Sequence, residues 1–253
     1  MEKVLNLEKR MSETPLECLE RFRKANPEYI NEKMTYAGRL DPMAEGKLIV
    51  LVGEECKQKD KYLEMDKEYE VDILFAFKTD SYDILGLIEE VSSIDFLVNY
   101  DISQHDISLK RFLENTKGKF LQKYPIFSSK TIKGKPLFQI TKDGELGQKE
   151  IPKKEVEIYK SELLKSYYIS GRDLKANIMK RILLLKGDFR QEEILEKWNQ
   201  ELRGREEEKF LLSKIRIKCS SGTYMRTLAN RLGEFLEIPA LAFKIKRTQI
   251  FSK

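Results

Sequence analysis

Residues 38–48 read GRLDPMAEGKL and lead into the apolar run 49–53, IVLVG, which suits a buried strand or the start of a helix. Pro42 has a fixed φ and restricts the preceding residue, Asp41, to extended conformations. The glycines on either side permit tight turns of the backbone. The loop therefore holds the Asp41 carboxylate rigidly against an apolar segment, which suits a nucleophile. The same residues also suit an Asx-type turn that closes a hairpin, and the loop by itself leaves both interpretations open.

The composition is that of a globular protein without a membrane segment. The 253 residues are 41% hydrophobic and 35% charged, which is enough to bury one substantial core. No apolar run approaches the roughly 20 residues that span a bilayer, and residues 1–5 lack the layout of a signal peptide. Cys18, Cys56 and Cys219 are far apart and form no C-x-x-C pair, which argues against a disulfide framework or a zinc site. We therefore expect a cytoplasmic protein.

The sequence offers few candidates for metal binding or histidine chemistry. His105 is the one histidine and lies in a polar stretch, so we expect it at the surface rather than as a base or ligand. Asp80 and Asp83 supply few oxygen ligands, which favours a turn with carboxylate-to-backbone hydrogen bonds over a hard-cation site. The sequence therefore predicts no metal and no cofactor.

The net charge of +5 is distributed unevenly along the chain. Residues 117–142 contain seven lysines and no acidic residue, and residues 211–253 contain nine basic and two acidic residues. The remainder of the chain is therefore net negative, and aromatic residues are interleaved with the basic ones. This pattern predicts two basic segments that bind a polyanion, while the other surfaces are solvated.

The hydrophobic periodicity predicts both strands and helices. Alternating apolar residues indicate strands, and apolar residues along one side of a charged stretch indicate helices. Strands are expected at residues 4–7, 67–75, 156–159 and 213–219, and helices from residue 15 to 25, within 173–210 and after 223. Thr14, Pro15 and Glu17 have the pattern of a capping box at the first helix. Trp198 lies on the apolar side of its helix, so we expect it in the core.

A second motif lies at residues 219–228, which read CSSGTYMRTL and join a predicted strand to a predicted helix. It is very close to the C-S-x-G-T-Y-I-R-T-L motif of the TruB family of tRNA pseudouridine synthases. Residues 38–48 resemble that family's active-site loop, G-H-x-G-x-L-D-P-x-A-x-G-x-L. Other pseudouridine synthases share the G-R-L-D core, but Pro42 and Ala44 are typical of the TruB branch. The resemblance extends over about residues 4–248.

The resemblance implies a fold, a domain organisation and a substrate. The fold is α+β: a pseudouridine synthase fold with a mixed, largely antiparallel sheet flanked by helices around a central RNA-binding cleft. We expect residues 1–253 to form a single catalytic domain without the C-terminal PUA domain that family members usually carry. We further expect a monomer that acts on tRNA and has no contact with a membrane.

The resemblance also implies roles for individual residues. Asp41 acts as the nucleophile or as the base that starts glycal formation, and the sequence does not choose between these. Tyr69, in the family's K-x-Y motif, lies over the target base; without the family match, an aromatic residue facing the core is the simpler interpretation. Arg226 pairs bidentately with Asp41, which orients the carboxylate and keeps it ionised. Ile245 helps to wall the pocket, and Tyr36 stacks on RNA where the family has a histidine.

Four lysines are expected to contact RNA. Lys9 begins the segment KRMSETP, which is similar to the family's K-P-x-G-x-T-S/P but has an arginine and a serine in place of the proline and glycine. Lys130, Lys133 and Lys135 lie in a cationic region that is similar to the family's mobile, RNA-clamping loop. The lysines of this region suit contacts with phosphates.

Three aromatic residues accompany the lysines of the cationic region. Phe120, Tyr124 and Phe127 could stack on bases or anchor the loop to the protein. Apolar rings at such spacing lie more often in a core than on a stacking platform. We therefore expect these three side chains in the core.

The function implied by the resemblance is isomerisation of a specific uridine in tRNA to pseudouridine, at uridine 55 of the T-loop. Arg39, in the G-R-L-D core, suggests an alternative: a pseudouridine synthase of another branch that acts on ribosomal RNA. A second alternative is a non-catalytic RNA-binding or RNA-folding module on the same scaffold. The presence of Asp41, Tyr69 and Arg226 together argues against such a module, because binding alone does not need them.

Overall fold

The computed structural model describes residues 2–92, 101–147 and 150–251. Within these residues, eight strands form one sheet and four short strands form two separate pairs. The strands are β1 (Val4–Lys9), β2 (Met34–Ala37), β3 (Ala44–Val52), β4 (Asp66–Phe75), β5 (Phe77–Thr79), β6 (Ile88–Val91), β7 (Gly118–Lys123), β8 (Thr131–Ile132), β9 (Lys135–Pro136), β10 (Lys153–Ser170), β11 (Lys209–Cys219) and β12 (Ala240–Phe251). The four predicted strands are confirmed, although the one predicted at residues 156–159 is part of the much longer β10.

The order of strands across the main sheet is β1-β3-β12-β4-β11-β10-β7, and β2 pairs with β3. Neighbouring strands are antiparallel except β3 and β12, which run parallel and pair Ala44 with Ile245 and Gly46 with Arg247. The mixed, largely antiparallel sheet implied by the resemblance is therefore confirmed. The parallel contact places β12 directly against the end of the Asp41 loop.

Helices cover the sheet and connect its strands. Those described are α1 (Pro15–Ala25), α2 (Lys59–Leu63), α3 (Ile102–Asn115), α4 (Leu137–Lys142), α5 (Gly171–Leu183), α6 (Gln191–Glu201) and α7 (Met225–Leu236), with 3₁₀ turns at Pro27–Tyr29 and Gly53–Gln58. The predicted capping box is confirmed: Thr14 Oγ1 accepts from the Glu17 amide, and the Glu17 carboxylate accepts from the Thr14 amide. Among these helices none is both long and apolar enough to cross a bilayer.

Two large apolar clusters lie on opposite faces of the main sheet. Because side chains alternate along a strand, β4 directs Ile73 into one cluster and Leu74 into the other. Helices α3 and α7 cover the first face, and α5 and α6 cover the second. Trp198 of α6 is fully buried and its Nε1 donates to the Ile84 carbonyl at 3.1 Å, so the prediction that it lies in the core is confirmed. The sheet is thus fixed on both sides, and its strand ends can hold a site rigidly.

His105 is buried, so the prediction of a surface histidine is wrong. Its ring packs edge-on against Phe75 with centroids 4.5 Å apart, and its Nε2 lies 2.9 Å from Ser213 Oγ. The polar residues near His105 form one side of the amphipathic helix α3, while His105 lies on the side that faces the sheet. Burial lowers the pKa of His105 to about 4, so the imidazole is neutral at physiological pH.

Candidate active site

A cavity of about 650 Å³ opens where the Asp41 loop meets β4 and β12. Its walls are formed by residues in the ranges 38–44, 63–69, 81–85, 124–129, 188–190, 221–226 and 245–247. This volume lies within the roughly 300–1,000 Å³ range of small-molecule pockets, so it can hold a nucleoside. Both basic segments of the sequence contribute to its walls.

The Asp41 loop joins the paired strands β2 and β3, as the hairpin interpretation requires, but the turn is made by the backbone and not by the Asp41 side chain. A backbone turn is present, because the Ala44 amide donates to the Asp41 carbonyl at 3.0 Å. The Asp41 carboxylate nevertheless faces the cavity, and its side chain is 31% exposed. Gly46 has a φ of +106°, and a Cβ there would lie 2.3 Å from the Arg247 carbonyl oxygen. Glycine is therefore required where β3 approaches β12 so closely.

Arg226 is buried beside the Asp41 carboxylate, so the predicted contact between these residues is confirmed. Arg226 Nε donates to Asp41 Oδ2 at 2.8 Å, across a sequence separation of 185 residues. The expected bidentate geometry is absent, because Nη1 donates to the Ser81 carbonyl at 2.9 Å and Nη2 to the Phe127 carbonyl at 3.2 Å. The backbone thus holds both terminal nitrogens of the guanidinium, and the Nε–H is the donor to the carboxylate.

Asp83 is a second carboxylate beside the same guanidinium. Asp83 Oδ2 lies 3.6 Å from Arg226 Nε, and its Oδ1 accepts from Ser81 Oγ at 2.8 Å and from the Leu85 amide at 2.9 Å. The predicted turn at this aspartate is therefore confirmed, but the sequence did not indicate its contact with Arg226. The side chain of Asp83 is buried, whereas that of Asp41 is partly exposed.

The electrostatics of this group follow from its burial. Burial alone would lower the pKa of Arg226, but the charges of Asp41 and Asp83 outweigh it and raise that pKa. Burial raises the pKa of Asp83, and the Arg226 charge and local hydrogen bonds only partly oppose the effect. The guanidinium is therefore a permanent positive charge that faces one buried and one accessible carboxylate.

Tyr69 and Ile245 both line the cavity, on the neighbouring strands β4 and β12. Both side chains are largely buried, and burial raises the pKa of the Tyr69 phenol. Their positions are compatible with the roles implied by the resemblance, one against the base and one in the pocket wall.

Lys9 is not placed to contact RNA, which corrects the expectation from the sequence. Its side chain is fully buried, and its Nζ donates to the Ala44 carbonyl at 2.5 Å and to the Arg10 carbonyl at 2.9 Å, with the Pro42 carbonyl at 3.4 Å. Burial lowers the pKa of Lys9 to about 8. A buried ammonium needs several acceptors, and two of the three here, the carbonyls of Pro42 and Ala44, belong to the Asp41 loop. Lys9 therefore holds that loop in place.

Ser12 stands where the family motif has glycine, and it adopts the backbone conformation that glycine favours. Its φ is +61°, in the left-handed region. Its amide donates to the Pro42 carbonyl at 2.9 Å, and its Oγ donates to the Arg181 carbonyl at 2.8 Å. The loop around Ser12 therefore supports the Asp41 loop from one side and contacts helix α5 on the other.

Tyr36, for which the sequence predicts stacking on RNA, is not among the residues that line the cavity. It lies on β2, packs at the margin of the apolar cluster beneath α1, and has Lys59 Nζ 5.7 Å from its ring centroid. Strand β2 pairs with residues 49–52 of β3, whereas β12 pairs with residues 44–46 beside the Asp41 loop, which explains why Tyr36 lies away from the cavity. Stacking of Tyr36 on RNA outside the cavity stays a prediction.

The three lysines of the cationic region have different surroundings. Lys130 is exposed, and its Nζ lies 5.4 Å from the ring centroid of the cavity residue Tyr124. Lys133 is exposed with a φ of +49°. Lys135 forms ion pairs of 2.6 Å with two carboxylates, so its charge is locally balanced. Lys130 is thus the best placed of the three to contact RNA at the cavity.

Two of the three aromatic residues expected in the core instead line the cavity. Strand β7 ends at Lys123, so Tyr124 and Phe127 lie in the following segment over the cavity rather than in the sheet. The guanidinium of Arg190 lies 4.2 Å from the Phe127 ring centroid. Phe120 remains on β7 and packs at the edge of the core, as expected.

The structure also adds cavity residues that the sequence did not single out. Tyr224, at the start of α7, packs edge-on against Tyr124 with centroids 5.6 Å apart, and burial raises its pKa to about 12. Lys67 has a pKa lowered to about 8, mainly by burial, and donates to the Leu63 carbonyl at 2.8 Å. Both residues belong to motifs quoted above, so the sequence contained a signal for them. Only the fold shows that they face the same cavity.

Comparison with solved structures bears on the fold alone. The chain superposes on one titled "Crystal Structure of a Cbf5-Nop10-Gar1 Complex" with a TM-score of 0.54 at 16% identity. A second, titled "Structure of H/ACA RNP bound to a substrate RNA containing 2'-deoxyuridine", gives a TM-score of 0.51 at 16% identity. Each match covers 98% of this chain, which spans about half the length of the matched chains, 48% and 47%. The predicted pseudouridine synthase fold is therefore confirmed.

Comparison of sequences identifies the family. The protein named tRNA pseudouridine synthase B of Caldanaerobacter subterraneus subsp. tengcongensis is 28% identical over 247 residues, which cover 98% of this chain and 68% of the relative. The protein of the same name from Borreliella afzelii is 30% identical over 97% of this chain and 68% of its own length. Residues 27–179 match the family described as "TruB family pseudouridylate synthase (N terminal domain)". The chain belongs to the TruB family of pseudouridylate synthases.

Proposed function

We propose that this protein isomerises a uridine of tRNA to pseudouridine, with uridine 55 of the T-loop as the target. The observation that carries the proposal is the 2.8 Å contact between Arg226 Nε and the Asp41 carboxylate at the cavity. The name of the two relatives, tRNA pseudouridine synthase B, supports tRNA as the substrate. A monomeric state and a cytoplasmic location remain predictions from the sequence.

The reaction needs a carboxylate but no redox partner. The C1′–N1 bond of uridine breaks, the base turns, and a C1′–C5 bond forms; C5 loses a proton and N1 gains one. Asp41 either attacks the nucleoside or removes the proton that starts glycal formation. Either role requires a well-oriented carboxylate, and a positive charge beside it provides that orientation. Arg226 supplies that charge from a fixed position, because the Ser81 and Phe127 carbonyls hold it.

The cavity is suited to one extruded nucleotide. Flipping a uridine out of folded RNA costs a few kcal/mol, which contacts to the base and backbone must offset. Tyr69 and Ile245 offer an aromatic and an aliphatic surface to the base. Arg39, exposed at the cavity, and Lys130, exposed beside the cavity residue Tyr124, offer positive charge to the RNA backbone. The site can therefore bind the base apolarly and the backbone electrostatically.

Mapping of the product in unmodified RNA tests the proposal. The protein is incubated with transcripts of tRNA and of ribosomal RNA, and pseudouridine is located at single-nucleotide resolution in each. We expect one modified position, in the T-loop of tRNA, and none in a matched tRNA whose uridine 55 is replaced by cytidine. Product in ribosomal RNA alone would instead support the alternative suggested by Arg39. Binding of tRNA without any product would support a non-catalytic module.

A further inference from the structure

Arg247 of β12 is a fully buried arginine at the wall of the cavity, and none of the roles above includes it. Its Nε donates to the Lys47 carbonyl at 2.6 Å, and its Nη2 donates to the Gly38 carbonyl at 2.9 Å. Gly38 begins the loop that carries Asp41, and Lys47 lies in β3, shortly after that loop ends. One guanidinium therefore ties the start of the loop to the strand that follows it.

The same guanidinium lies beside the phenol of Tyr69. Arg247 and Tyr69 are direct partners in the antiparallel register of β12 and β4, and both line the cavity. Burial raises the pKa of Tyr69, while the positive charge of Arg247 and a hydrogen bond from it act in the opposite direction. Arg247 thus contacts the two elements that carry the proposed catalytic groups, the Asp41 loop and Tyr69.

The donors and acceptors of the Arg247 guanidinium and the Tyr69 phenol determine which of the two groups donates the hydrogen bond. A guanidinium only donates hydrogen bonds, and a phenol has one proton and acceptor lone pairs. When Tyr69 accepts a hydrogen bond from Arg247, its own proton is free to point elsewhere, and the cavity is the open side. The backbone of Arg247 adds a further constraint, because it packs directly against Gly46.

We propose that Arg247 is a positioning residue for the reaction: it fixes the Asp41 loop relative to Tyr69 and directs the Tyr69 hydroxyl proton into the cavity. This inference rests on the proposed function, since the value of that geometry lies in the isomerisation of a bound uridine. A buried arginine that served only to hold the fold together would stabilise the protein without acting through Tyr69.

The first test is a double-mutant cycle in single-turnover kinetics. Arg247→Lys keeps the charge but, with one ammonium, cannot reach both carbonyls and Tyr69 with the same geometry. We expect it to lower the rate of the chemical step about 10- to 100-fold, with the RNA concentration for half-maximal rate changed by less than about threefold. In a Tyr69→Phe background the same substitution should cost at least about threefold less than in the wild type, because only its effect on the Asp41 loop remains. Equal losses in both backgrounds would overturn the proposal.

The second test needs no substrate, so it separates failure of this inference from failure of the proposed function. The protein is labelled with tyrosine carrying ¹³C at Cζ, and the Tyr69 resonance is assigned by its loss in Tyr69→Phe. We expect Arg247→Lys to shift that resonance, whereas the matched control Arg203→Lys, at an exposed position after α6, leaves it unchanged. A Tyr69 resonance that does not respond to Arg247→Lys would show that the contact is absent and would overturn the proposal.

A third variant covers the case in which Arg247→Lys does not fold. Arg247→Gln removes the charge but retains an amide that can donate to the Gly38 carbonyl, and the same kinetic cycle and resonance are measured. If the protein makes no pseudouridine at all yet the Tyr69 resonance responds, the contact stands and the proposed function fails. If both substitutions leave catalysis and the resonance unchanged, Arg247 has no positioning role.

Discussion

Replacing Arg226 with methionine is expected to destabilise the protein strongly, because it leaves the Asp83 carboxylate buried without a positive charge. Methionine has similar length and suits a helix, so the main loss is electrostatic. Asp83 would retain only its bonds from Ser81 and Leu85. Removing one partner of a buried ion pair costs about 3–5 kcal/mol. Asp41 should contribute little to this loss, since its side chain is 31% exposed and water can solvate it.

A second substitution separates this electrostatic loss from a packing defect. In Arg226→Met with Asp83→Asn, the buried negative charge is also gone, so at least about 2 kcal/mol of the loss should return. Catalysis should not return, because Asp41 still lacks the Arg226 Nε contact. The double variant should therefore regain part of the lost stability but none of the lost activity.

The pH dependence of the Arg226→Met variant gives an independent check. Burial raises the pKa of Asp83 in the folded state above that of an exposed aspartate. A carboxyl group of this kind makes the folded protein less stable as the pH rises through its folded-state pKa. Removing Arg226 raises that pKa further. The deficit of the variant relative to the wild type should therefore be smaller at pH 5 than at pH 7.

Urea denaturation followed by circular dichroism measures these differences in the free energy of unfolding, provided that the slope with urea is unchanged. Single-turnover formation of pseudouridine in tRNA measures the activity. A loss below about 1 kcal/mol for Arg226→Met, the size typical of an exposed ion pair, would refute the reasoning. So would a double variant that is less stable than Arg226→Met alone.

Two further predictions concern stability. The pKa of His105 is lowered to about 4 by burial, so the unfolded chain gains a proton below about pH 6.5 before the folded protein does. The wild type should therefore lose about 2–3 kcal/mol more than His105→Gln between pH 6.5 and 4 in urea denaturation, and equal acid sensitivity would contradict this. Gly46→Ala should destabilise by more than about 2 kcal/mol, since φ is +106° and the new Cβ would lie 2.3 Å from the Arg247 oxygen. Thermal unfolding measures this, with Gly134→Ala as a control that also has positive φ but open space around it.

Local patterns in the sequence gave the elements and the motifs that lie within single elements. The capping box at Thr14 and the alternation in β4 and β11 depend on neighbouring residues, so they could be predicted without the fold. The contact between Arg226 and Asp41 joins distant parts of the chain, and only the resemblance indicated it. No local sequence pattern indicated that β12 would pair in parallel with β3.

Several of the errors share one physical cause, which is that the polarity of a residue does not determine its exposure. Lys9 and His105 are polar residues that the fold buries with backbone or hydroxyl partners, and only the tertiary structure supplies those partners. Tyr124 and Phe127 are apolar residues that line the cavity, because the chain leaves the sheet after β7. Arg247 was visible in the sequence as one basic residue among several, and its two backbone contacts arise from strand pairing.

The central claim is that the Asp41 carboxylate performs the chemistry and is not required for RNA binding. Asp41→Asn preserves the size of the side chain and removes its charge, and Asp60→Asn, at an exposed position in α2, is the matched control. The measurement is single-turnover formation of pseudouridine in tRNA, together with the dissociation constant for the same RNA. We predict no detectable product from Asp41→Asn, a dissociation constant within about threefold of the wild type, and no change for the control. Substantial product from Asp41→Asn would contradict the account.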